Sequence, residues 1–71
     1  MDQLHLMRVF VAVAEEQGFA AAARRLNMSP PAVTRAISAL EDNLGVKLLT
    51  RTTRYVRTTE AGARYLEDVR L

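Results

Sequence analysis

The sequence has no cysteine and no tryptophan, a single histidine, and only three glycines and two prolines in 71 residues. Without cysteine there can be no disulfide, thiolate metal site or thiol nucleophile, and the chain suits a reducing cytoplasm. His5 has only Asp2 near it among the acids, so metal ligation and acid–base catalysis both want a second partner, and His5 reads as a surface residue. Ser29 and Ser38, the two serines, sit in no strand-turn-helix elbow and have no base within sequence reach. Nothing here supports an enzyme or a bound cofactor. No apolar run approaches the roughly 18 residues of a membrane span, and Met1-Asp2-Gln3 begins no secretory leader, so the chain reads as soluble, with no membrane partner.

Aromatic residues are also scarce, with two Phe and two Tyr. The core must therefore be assembled from Leu, Val, Ile, Met and Ala, a composition that suits packed helices. A chain of this length without internal repeats forms one domain, which buries only about 60% of its unfolded surface.

The formal charge of +2 is unevenly placed. Between Arg24 and Arg57, seven cations (Arg24, Arg25, Arg35, Lys47, Arg51, Arg54 and Arg57) face only Glu41 and Asp42. The flanks reverse the balance, setting Arg8, Arg64 and Arg70 against Asp2, Glu15, Glu16, Glu60, Glu67 and Asp68. A basic middle between acidic ends is the footprint expected of a polyanion binder, although a solvated surface can carry the same charges.

Four helices and a hairpin follow from the periodicity. From Leu4 to about Gln17, Leu4, Met7, Val11 and Ala14 recur at helical spacing with Leu6, Phe10 and Val13 beside them, and His5, Arg8, Ala12 and Glu15 fall on the opposite side. Gly18 is expected to break this helix, and a short one follows from Phe19 through Ala20–Ala23 to Leu26. Asn27-Met28-Ser29 forms a turn, after which Pro30 and Pro31 fit only the first turn of a third helix. Ser29 is the natural N-cap, and the first helical residue is Pro30 or Pro31. Val33, Ile37, Leu40 and Leu44 make the buried stripe of that helix, and Gly45 stops it. Val46–Thr50 and Tyr55–Thr59 then read as the strands of a hairpin. Thr59 caps a fourth helix, with Glu60 at its positive end and Gly62, Tyr65, Leu66 and Val69 at helical spacing, a pattern still running at Leu71.

The second and third helices, joined by a three-residue turn, have the proportions of a helix-turn-helix. On the third helix Pro31, Thr34, Arg35 and Ser38 share the face opposite the apolar stripe, a face compact enough to enter a major groove. Thr34 and Ser38 can donate to phosphates or base edges, Arg35 can grip guanine O6 and N7, and the helix start, with Ser29, offers donors to phosphate. A plain solvated face would carry the same residue types. The hairpin adds Arg51, Arg54 and Arg57 with Thr50, Thr52 and Thr53, which suits a wing along a duplex, while cations on an edge strand also prevent aggregation.

These segments together resemble the LysR-type transcriptional regulators over essentially the whole chain. The resemblance is carried by Phe10-Val11-Ala12-Val13-Ala14-Glu15, by Phe19 with Ala21-Ala22 and Leu26, and by Ser29 with Pro31-Ala32-Val33-Thr34-Arg35 and Ile37. It continues through Leu40-Glu41 with Leu44-Gly45, Leu48-Leu49 with Arg51 and Arg54, and Thr59-Glu60-Ala61-Gly62. It implies a mainly α, winged helix-turn-helix fold with a three-helix core, a two-stranded β-hairpin wing and a C-terminal linker helix. Residues 1–58 would be the DNA-binding domain and 59–71 the start of a linker and dimerisation helix. The protein would be several-fold longer, and the missing part would bind a small-molecule effector and complete a tetramer.

Residue by residue, the resemblance assigns base readout to Pro30, Pro31, Ala32 and Arg35. It gives phosphate contacts to Thr34 and Arg51 and a minor-groove contact to Arg54; the residues themselves add Ser29, Ser38 and Thr52 as expected phosphate contacts. Tyr65, Leu66 and Val69 would form the homodimer helix. Two positions depart from the family pattern: Pro30 replaces a frequent glutamine and Ala20 a frequent serine or threonine, each removing a polar group. The expected partner is a double-stranded DNA operator. The alternative is a winged helix that docks protein without reading DNA, with an RNA role third.

Overall fold

A computed structural model of the protein describes residues 2–51 and 55–70. These form α1 (Gln3–Glu16), α2 (Phe19–Leu26), α3 (Pro30–Leu44), β1 (Leu49–Arg51), β2 (Val56–Thr58) and α4 (Glu60–Val69). The strands pair antiparallel, Thr50 opposite Arg57, as the sheet of a winged helix-turn-helix.

α1 is the central helix, packed by α2, α3 and α4. With neighbours on several sides it buries Leu6, Val9, Phe10, Ala12 and Val13, a different set from the stripe expected of a helix lying on a core. Ala12, expected on the polar side, is fully buried, while Leu4 is 53% exposed and Met7 and Val11 are half-buried. His5 is likewise half-buried. α1 also stops earlier than expected, because Gln17, not Gly18, takes the left-handed conformation (φ 57°), its N–H bonded to the Val13 carbonyl. Gly18 is instead the extended N-cap of α2, a position that glycine fills acceptably.

The turn between α2 and α3 closes through Asn27, also left-handed (φ 57°), with Met28 N–H returning to the Ala23 carbonyl. This arrangement satisfies carbonyls at the end of α2 and packs Met28 against the core. Of the four alanines, Ala22 and Ala23 are buried and Ala20 is exposed. Ser29 caps α3 by accepting the Ala32 N–H at 3.2 Å, and Pro30 is the first helical residue. Val33, Ala36, Ile37 and Leu40 are buried, but Leu44, expected at the end of the stripe, is 40% exposed because α3 runs past its neighbours before Gly45 (φ 69°) turns the chain. The strands are shorter than expected, leaving Val46 and Tyr55 exposed outside them.

The link from α3 to β1 is held from both sides. Glu41 Oε2 accepts the N–H groups of Leu48 at 2.8 Å and Leu49 at 3.2 Å. On the other side, the Thr59 hydroxyl donates to the Lys47 carbonyl at 2.7 Å while accepting the Gly62 N–H at 3.0 Å as the cap of α4. α4 then returns to the core, Tyr65 meeting Phe10 at a ring-centroid distance of 5.5 Å. Burial raises the Tyr65 phenol above its ordinary pKa, an effect that a hydrogen bond with Gln3 opposes. No helix among the described residues is long and apolar enough to cross a membrane.

Candidate nucleic-acid interface

Because Val33, Ala36, Ile37 and Leu40 anchor α3 from within, the other side of its first half must face outward. Ser29, Pro30, Pro31, Thr34, Arg35 and Ser38 are all exposed, and Ala32 is half-buried. The sequence-predicted residues of this helix are therefore brought together on one surface; its leading part, Pro30, Pro31, Thr34 and Arg35, carries no acid of its own, whereas Ser38 adjoins Glu41 and Asp42. The Ser29 oxygen accepts the capping bond, and no donor bond from its hydroxyl is made within the described residues, so the hydroxyl can still donate to an external acceptor. Thr34 is the reverse case: its hydroxyl donates to the Pro30 carbonyl at 3.2 Å, so it can serve an external acceptor only by exchanging that bond.

β1 carries Arg51 to the same surface. Its guanidinium carbon lies 3.9 Å from the centroid of the Phe19 ring, and Nη2 reaches the Thr34 hydroxyl at 3.5 Å. Strand, α2 and α3 thus meet through three side chains. The remaining sequence-predicted wing residues, Thr52 and Arg54, lie outside the described residues.

Ion pairing separates the cations into two classes. Arg25 meets Glu15 at 2.9 Å and Glu16 at 3.3 Å, and its pKa is raised chiefly by the hydrogen bond to Glu15. Arg70 meets the second Glu15 oxygen at 3.1 Å, Lys47 meets Glu41 at 3.6 Å and Arg64 meets Glu60 at 3.2 Å. Arg35 and Arg51 have no carboxylate partner among the described residues, so the α3 and β1 surface keeps its positive charge. Among the described residues no group of three His, Cys, Asp or Glu could hold a metal ion.

The contacts of two residues are not legible in the sequence. Glu41 reads there as an acid within the basic segment and Phe19 as the start of α2, both inside segments that carry the resemblance but with no role assigned. Their partners become neighbours only when the chain reverses after Gly45, and no local spacing announces that.

The chain matches the family described as bacterial regulatory helix-turn-helix protein, lysR family, over residues 4–63. It belongs to the LysR family. Among curated LysR-family relatives it is 56% identical over 64 residues to the transcriptional regulator ClcR of Pseudomonas putida, a match spanning 90% of this chain and 22% of that protein. The regulator TfdS of Cupriavidus pinatubonensis is 58% identical over the same shares, so the chain spans about a fifth of the length of these relatives. Among solved structures, the CbnR DNA-binding domain in complex with DNA superimposes with a TM-score of 0.92 at 46% identity, covering 97% of this chain and 79% of that one. The BenM DNA-binding domain bound to catB site 1 DNA gives 0.91 at 41% identity, covering 96% of this chain and 76% of that one. This LysR-family domain is thus a winged helix-turn-helix of a regulatory, not a catalytic, family.

Proposed function

We propose that this domain binds double-stranded DNA sequence-specifically, as a homodimer, to regulate transcription in the bacterial cytoplasm. The observation that carries the reading is the exposed outer face of the first half of α3, with Arg35 on it, beside Arg51 of β1, two arginines that have no carboxylate partner among the described residues. The first half of α3 would lie in the major groove, with Pro30, Pro31, Ala32 and Arg35 against base edges. Arg35 would read guanine, and Pro30 would offer only shape and apolar contact, as to a thymine methyl. Ser29, Thr34, Ser38, Arg51 and Thr52 would hold phosphates, and Arg54 would enter the minor groove. Two solved relatives of the same fold were captured on DNA, which supports the pose.

The homodimer reading rests on α4 and its surroundings. Tyr65, Leu66 and Val69 are half-buried, and beside Val69 a groove has Leu4, Met7, Val11 and Leu26 in its lining, with the charged Arg8, Glu15, Arg25 and Arg70 around them. A small-molecule effector would bind in the part of the relatives' length that this chain does not span.

Salt titration tests the reading. Affinity for duplex should fall steeply with salt, with a log–log slope of about 0.9 per phosphate contacted. An affinity that stays flat from low to moderate salt would favour the protein-docking alternative.

A further inference from the structure

Arg51 and Arg25 are both arginines at the domain surface, and they are held in opposite ways. Arg25 presents the edge of its guanidinium to two carboxylates, which neutralise it and occupy its donors. Arg51 instead has its guanidinium carbon over an aromatic ring, 3.9 Å from the centroid, well inside the range of a cation–π contact. A guanidinium held by a ring rather than by carboxylates keeps its charge and N–H donors available to an anion. Phe19, at the head of α2, is itself half-buried and packed against the core, which limits its freedom to move.

The second contact of Arg51 cannot fix it alone. The bond to Thr34 is 3.5 Å long, at the limit of a hydrogen bond, and its acceptor is a hydroxyl already oriented by donation to the Pro30 carbonyl. Removing the ring would leave a long, rotamer-rich side chain at the end of a three-residue strand with one weak tether.

We infer that Phe19 is a positioning residue for duplex binding: its ring holds the Arg51 guanidinium beside Thr34, fully charged, in the orientation that meets a phosphate. The inference rests on the duplex-binding reading for its function, but the stacking itself is a property of the free domain.

The test has two arms. In the first, affinity for a random-sequence duplex at fixed low salt is measured for the wild-type chain, Phe19→Leu, Phe19→Tyr, Arg51→Ala and the Phe19→Leu/Arg51→Ala double variant. Phe19→Leu should weaken binding about two- to fivefold, the size of an exposed cation–π contact, and Phe19→Tyr, which keeps the ring face, should bind as wild type. In the Arg51→Ala background Phe19→Leu should have no further effect. Equal weakening in both backgrounds, or a Phe19→Tyr loss matching that of Phe19→Leu, would overturn the inference in favour of a bulk role for the ring.

The second arm needs neither DNA nor a substitution. In the NMR spectrum of the free wild-type chain, ring current should move the Arg51 side-chain resonances upfield of those of Arg35. An Arg51 without that shift overturns the stacking. A shifted Arg51 in a chain that binds no duplex upholds the stacking and overturns the proposed function instead.

Discussion

Gly62 lies so close beneath Leu48 that a β-carbon on Gly62 would overlap the Leu48 carbonyl oxygen and sit 2.9 Å from the carbonyl carbon. The atoms it would meet are backbone, and the Leu48 carbonyl is tied down because it accepts the Thr59 N–H at 3.0 Å. Alanine at position 62 would gain about 1 kcal/mol in helix propensity. Relieving the overlap requires moving α4 away from the strand entry, at about 1–3 kcal/mol or more. Gly62→Ala should therefore be net destabilising, read as a lower urea midpoint; a midpoint at or above wild type would show that α4 can shift freely.

Glu41 anchors the same crossing from the α3 side. Its side chain is only 12% exposed and serves two backbone donors, so Glu41→Ala leaves the Leu48 and Leu49 N–H groups without a partner and should cost about 1–3 kcal/mol. Lys47, the ion-pair partner of Glu41, is 82% exposed, and Lys47→Ala should change stability by less than about 1 kcal/mol. Amide exchange at Leu48 and Leu49 gives a local check: protection should fall in Glu41→Ala and stay unchanged in Lys47→Ala.

The contrast between these residues and the caps shows what a sequence can disclose. Ser29, Gly45 and Thr59 were legible because a cap acts within a few residues of itself, and the structure bears out all three. The outer face of α3 was legible for the same reason, being the complement of a local apolar stripe. α1 was misread on burial because periodicity assumes one buried side, whereas a helix packed by three others also buries Ala12. Gln17 was missed as the left-handed stop because the adjacent Gly18 is the residue that local conformational preference selects. Glu41 and Phe19 gain their roles only from partners brought close by the reversal after α3, which no local rule describes.

Arg35 and Arg51 should separate reading from holding. Arg35→Ala should cost about 1–3 kcal/mol on a true operator and relax base preference, whereas Arg51→Ala should weaken operator and random duplex alike. Parallel titrations on both duplexes decide it: an equal loss on both for Arg35→Ala would mean that Arg35 contacts only backbone.

Tyr65 gives a pH dependence with a definite sign. Burial raises its pKa, so the neutral phenol is favoured more in the folded chain than in the unfolded one. The associated stability is fully present below the unfolded value of about 10 and is lost as pH rises through the higher folded value. Urea midpoints measured from pH 8 to pH 11 should fall more steeply for wild type than for Tyr65→Phe. Parallel curves would mean that the phenol ionises equally readily in both states.

Assembly follows from how little of α4 is free. Tyr65 is engaged with Phe10 and Leu66 packs against the core, so a partner chain would gain mainly Val69 with Leu4, Met7 and Val11 of α1. Fully burying a large apolar side chain is worth about 1.5–3 kcal/mol, and these are already partly covered, while association costs about 4–15 kcal/mol in lost freedom. The 71-residue chain should therefore dimerise only weakly in solution. On a duplex with two properly spaced half-sites, both copies are held at high effective concentration, so the seam closes and binding becomes cooperative. Leu4→Glu should abolish that cooperativity while leaving affinity for a single half-site unchanged, because Leu4 lies on α1 and outside the proposed contact surface. Sedimentation of the free chain, with titration of one and two half-sites, checks each step. Nanomolar dimerisation without DNA, or equal per-site affinity for single and paired half-sites, would refute this account of the seam.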